Sequence, residues 1–85
     1  MSTPEVGKFL REKRILAGLT QKQVSDHLGY SSSQFVSNWE RGQCLPPPQK
    51  LKKLIKLLDI SGEQLANMIF DEKKRALHRV IFQKL

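Results

Sequence analysis

The sequence predicts an all-α fold: a compact five-helix domain over 1–70, followed by a helical extension over 71–85. Three observations carry that expectation. Apolar residues recur at three- and four-residue spacing through most of the chain, the period of a helix with one buried face. Glycines at positions 18, 29 and 42 close three such stretches, because glycine accepts the left-handed conformation that ends a helix. Thr20 with Gln23, and Ser61 with Gln64, stand at capping-box spacing, in which a hydroxyl and an amide side chain satisfy two orphan amides of a helix start.

The first helix covers about residues 5 to 17, where Val6, Phe9, Leu10, Leu16 and Ala17 keep helical spacing and Gly18 follows. The second opens on Thr20, turns Val24 and Leu28 inward at i and i+4, and closes at Gly29. Ser25 is small enough there to let another helix approach. The third runs over about 33–41, with Val36 and Trp39 three apart on its inner face and Gly42 as its stop. Trp39 belongs to the core, with an indole N–H that needs a partner.

QCLPPPQ, residues 43–49, is a loop, because proline lacks the amide that a helix interior uses; only Pro48, the last of the three, suits the first position of a helix. The fourth helix then carries Leu51, Leu54, Ile55 and Leu58 as its apolar stripe, with Lys50, Lys52, Lys53 and Lys56 on the other faces. The fifth opens on Ser61 and passes through Leu65, Ala66 and Ile69. Beyond it there is neither Gly nor Pro, and Ile69, Phe70, Leu77, Val80, Ile81 and Leu85 keep helical spacing, so the helix runs on or resumes at once. A terminal strand through RVIFQ is the alternative.

Composition narrows the function. A chain of 85 residues buries roughly 60% of its unfolded surface, which leaves room for one core and little for a deep catalytic pocket. An enzyme is therefore disfavoured. Fifteen Lys and Arg against eight Asp and Glu give a net charge of +7, which favours an anionic partner: nucleic acid first, an anionic membrane or acidic protein second. The single cysteine, Cys44, closes no disulfide within the chain, and neither His27 nor His78 stands at metal-ligand spacing from it, so no metal or other cofactor is expected. No apolar run approaches the roughly 20 residues of a membrane span, and the opening MSTPEVGK lacks the apolar centre of a signal peptide; the sequence reads as soluble and cytoplasmic.

Two short helices joined by a glycine-containing turn make a helix-turn-helix pattern. REKRILAGLTQKQVSDHLGY, VSNWERG and PPPQKLKKLIKLLDISGEQL, in that order, resemble the phage repressor and Cro-type helix-turn-helix (xenobiotic-response-element) family over about residues 6 to 69. The resemblance implies a bundle whose third helix lies in the DNA major groove, and hence a sequence-specific, non-catalytic transcriptional regulator of double-stranded DNA. Its alternative is an antitoxin or other protein-binding module on the same fold, holding a protein partner through 71–85.

An α-helix fits the major groove, where every base pair shows a distinct pattern of donors and acceptors. With Val36 and Trp39 inward, Ser33, Gln34, Ser37 and Asn38 face outward as the base-reading candidates. Gln34 leads, because a carboxamide pairs bidentately with adenine N6 and N7; Asn38 does the same or holds a phosphate. Phe35 either touches a thymine methyl or folds back over Tyr30, and packing is preferred.

The resemblance assigns phosphate contacts to Gln21 at the start of the second helix and to Arg41 and Gln43 after the third. Ser32 either binds a phosphate or caps the third helix, and Lys50 has a weak phosphate role while the other lysines of its helix are solvated. Arg14 and Glu40 are similar to a family pair that fixes how the recognition helix leans on the first helix.

One departure stands out: Gly29 and Trp39 are ten apart, one residue more than the common family pattern. The surplus is expected in the turn, because the spacing from Val36 through Gly42 needs no gap. A homodimer is expected too, since one recognition helix covers only a few base pairs and half-sites lie about 34 Å apart. The surface over 71–85 is its candidate; packing of that helix on its own domain is the alternative.

Overall fold

A computed structural model of the protein describes residues 5–83. Leu85, counted above in the apolar spacing of the extension, lies outside them, as does the start of MSTPEVGK. The elements are α1 (Glu5–Leu16), α2 (Gln21–His27), α3 (Gln34–Glu40), α4 (Pro48–Leu58) and α5 (Gly62–Phe82), with no strand among the described residues. RVIFQ is thus helical as far as Phe82, because nothing between Gly62 and that point breaks the helix.

The helix ends follow local chemistry. At α2 the capping box is complete: Thr20 Oγ1 accepts from the Gln23 amide at 3.0 Å, and Gln23 Oε1 accepts from the Thr20 amide at 2.8 Å. At α5 only the hydroxyl half forms, with Ser61 Oγ accepting from the Gln64 amide at 3.1 Å. Pro48 takes the first turn of α4, which ends on a left-handed Asp59, φ 52°, where no glycine is present to mark the stop.

The core draws on all five helices: Val6 and Leu10, Val24 and Leu28, Val36 and Trp39, Leu54 and Leu58, Leu65 and Ile69. α1 packs on α3 and α5, and α2 packs on α3 and α4, so α3 is held from two sides. Ser25 is wholly buried, and its hydroxyl finds no partner. Ile15 and Leu16 are exposed, against the expectation that Leu16 and Ala17 extend the inner face of the first helix. The inner position of that last turn is taken by Arg14, whose Nη1 donates to the Leu19 carbonyl at 2.9 Å, and Leu19 packs on the core in place of Leu16.

α5 docks through its first half and through Glu72, whose Oε1 accepts from the Val6 amide at 2.8 Å. A carboxylate there satisfies an orphan amide and meets the positive end of the α1 dipole. From Lys73 to Gln83 every residue is exposed, including Leu77, Val80, Ile81 and Phe82. At 100° per residue, Phe70, Leu77 and Ile81 share one face, about 130° round the helix from Leu65, Ile69 and Glu72.

Candidate nucleic-acid interface

α3 begins at Gln34, so all three serines precede it in the segment that follows α2. The helix is one residue shorter at each end than the sequence suggested, with Ser33 and Arg41 as its flanking caps. Ser32 is the serine that caps: its Oγ accepts from the Gln34 amide at 3.3 Å, whereas the Ser33 side chain makes no cap bond. Val36, Trp39 and Glu40 form the buried side of α3.

Glu40 gathers three helices. Its Oε2 accepts from Arg14 Nε at 2.6 Å and its Oε1 from Arg14 Nη2 at 3.0 Å, a bidentate fork between α1 and α3. Gln21 Nε2, on the first turn of α2, donates to the same Oε1 at 3.0 Å. Gln21, expected on a phosphate, therefore spends one amide proton on fixing α2 to α3.

The outward side of α3 carries a polar ladder. Asn38 Oδ1 accepts from Gln34 Nε2 at 2.8 Å and from Arg41 Nη2 at 2.9 Å, at spacings of four and three residues along one face. Gln34 keeps Oε1 and its second amide proton free of the ladder, the one acceptor and one donor that an adenine edge requires. Gln34 and Arg41 are exposed; Ser33, Ser37 and Asn38 are half-buried at the edges of the face. Gln43 is exposed after the helix, its backbone amide donating to the Asn38 carbonyl at 2.9 Å.

Aromatic packing closes the turn. The Phe35 ring stacks on Tyr30 at 4.4 Å, and Tyr30 meets Trp39 edge-on at 5.9 Å, so Phe35 folds back over the turn although half of it stays exposed. Burial first, and then the neighbouring Cys44, push the Tyr30 hydroxyl above the ordinary range of a tyrosine. Lys50 Nζ donates to the Leu28 carbonyl at 2.7 Å and lies 5.0 Å above the Tyr30 ring. Its charge satisfies the C-terminal end of α2, whose last carbonyls lack helical partners. Gln21 and Lys50 thus brace the two ends of α2 behind the α3 face.

Gly7 escaped the sequence reading. A Cβ at that position would lie 2.5 Å from the Trp39 carbonyl oxygen and 2.7 Å from that of Glu40, so α1 and α3 touch backbone to side-chain-free backbone. The signal was present: a glycine inside a helix costs about 1 kcal/mol against alanine and asks for a packing reason.

The helix-turn-helix family model matches residues 10–65, from the middle of α1 to the first turn of α5. That span contains Arg14, Gln21, the whole of α3 and Lys50, and stops short of the exposed part of α5. The sequence is also 24% identical over 79 residues to the type II methyltransferase M1.ScrFI of Lactococcus lactis subsp. cremoris. The match covers 91% of this chain and 18% of that protein, so the chain spans less than a fifth of the relative's length.

Proposed function

Because the chain belongs to the Cro/C1-type helix-turn-helix family, a family of DNA-binding domains, we propose that it is a sequence-specific transcriptional regulator that seats α3 in the major groove of an operator. One observation carries the proposal. α3 is locked from behind by Val36, Trp39 and the Glu40 fork, while its free side presents Gln34, Asn38 and Arg41 as one aligned polar row. Gln34 and Asn38 read base edges, with Ser33 and Ser37 orienting beside them. Arg41 and Gln43 meet phosphates, Lys and Arg charge drives encounter, and no chemistry is transferred from the methyltransferase.

Selection from random duplexes, followed by titration of the winners, tests this. Gln34→Ala is expected to lose about 1–3 kcal/mol of discrimination at one base pair, and Arg41→Ala to weaken all sequences alike while lowering the salt slope by about 0.9. A Gln34→Ala variant that prefers the same sequence as the wild type means that α3 does not read DNA in this register.

The row Phe70, Leu77 and Ile81, all more than half exposed, supports a homodimer through α5, since large apolar side chains gathered on one face ask for a cover. Light scattering is expected to give twice the chain mass for the wild type and the single mass for Leu77→Glu. A wild type that stays monomeric both free and on a palindromic site rules the dimer out and points to a different protein on that face.

A further inference from the structure

The extension has a second face. Glu72, Arg75, Ala76 and Arg79 fall at i, i+3, i+4 and i+7 on α5 and share one side of it. That side forms one wall of an open groove of about 670 Å³, whose other wall is residues 42–45, the loop leaving α3. The groove is large enough for sugar–phosphate units rather than a single ion.

Its lining sets Lys73, Arg75 and Arg79 against the two carboxylates Glu5 and Glu72, an excess of positive charge. The Glu72 carboxylate is committed to the Val6 amide, and neither Arg75 nor Arg79 forms an ion pair among the described residues. Two guanidinium groups four residues apart repel each other on a helix, and the Glu5 carboxylate that lines the same groove pairs with neither. Both are exposed, and each offers the planar fork that matches a pair of phosphate oxygens. Gln43, two residues beyond Arg41, lines the same groove, so the two arginines continue the phosphate-facing end of α3.

We propose that Arg75 and Arg79 hold backbone phosphates of the same duplex, flanking the base pairs that α3 reads, so that α5 lengthens the DNA footprint beyond the helix-turn-helix unit. This rests on the DNA-reading assignment of α3. It leaves the Phe70, Leu77 and Ile81 row untouched, because that row lies on a different face of the helix.

The test compares the wild type with R75Q/R79Q by fluorescence anisotropy, over a salt series, on two duplexes. One carries several base pairs on either side of the selected site; the other is cut at the edge of the bases read. On the long duplex the variant is expected to lose about 1.8 from the salt slope, two contacts at about 0.9 each, and at least tenfold in affinity near 100 mM salt, with sequence preference unchanged. On the short duplex the two proteins are expected to bind alike. Circular dichroism and light scattering check that fold and assembly survive, and R75K/R79K is expected to recover most of the slope.

Equal slopes on the long duplex overturn the proposal, and so does an equal loss on both duplexes, which reports general charge rather than a flanking contact. If millimolar inorganic phosphate or a mononucleotide raises the wild-type melting temperature and not the variant's, the groove takes a free anion and the DNA assignment fails. A wild type that binds no duplex fails the reading of α3 itself. Binding that depends on Gln34 with a slope indifferent to Arg75 and Arg79 fails this inference alone.

Discussion

Glu40→Ala is expected to lower the free energy of unfolding by about 3–5 kcal/mol, a large part of the 5–15 kcal/mol that a small domain has. The Glu40 side chain is 5% exposed and faces an Arg14 side chain that is 13% exposed, so its removal leaves a guanidinium charge largely out of water without a counterion. Gln21 loses its acceptor in the same step. Glu40→Gln keeps the shape and one acceptor oxygen, and is expected to cost less than the alanine variant. Urea denaturation of the three proteins measures both. A loss below about 1 kcal/mol for Glu40→Ala would place the pair with exposed ion pairs and remove its role in fixing α3. Because the fork ties α3 to α1 and, through Gln21, to α2, DNA affinity is expected to fall further than the unfolded fraction explains.

Most of the architecture was legible from local signals. The Thr20–Gln23 box, the glycines after α1, α2 and α3, and Pro48 each act within a few residues, so sequence neighbours are enough to locate them. The Arg14–Glu40 pair, 26 residues apart, came from the family resemblance and not from spacing. What stayed hidden depends on which residues meet in three dimensions. Lys50 reads as a weak phosphate contact until α4 brings it under the Leu28 carbonyl and the Tyr30 ring. Glu72 looks like one member of a charged run, yet it caps a helix 66 residues away. Leu16 has the right period for burial and is exposed, because period alone does not say that Arg14 has already taken the inner position. Arg75 and Arg79 stand in the same kind of run, and only the fold sets them across from the loop that leaves α3.

Gly7→Ala is expected to destabilise the protein by about 1–3 kcal/mol, although alanine is favoured over glycine in an isolated helix by about 1 kcal/mol. The sign turns on what the added methyl meets. Its nearest neighbours, at 2.5 Å and 2.7 Å, are the carbonyl oxygens of Trp39 and Glu40, and backbone atoms do not rotate away as a side-chain tip does. α1 and the C-terminal end of α3 must separate, which loosens the Arg14–Glu40 fork and the packing of Trp39 together. Gly62 provides the control: a Cβ there would meet Ile55 Cδ1 at 3.3 Å, the far end of a flexible side chain, so Gly62→Ala is expected to be close to neutral. A melting temperature lowered by roughly 4–8 °C per kcal/mol is the expected reading for Gly7→Ala, and a temperature that rises as helix propensity alone dictates would mean that α1 and α3 are not held at this distance. Measured well below that temperature, operator affinity is expected to fall as well, because the atoms displaced by the methyl belong to the residues that set the angle of α3.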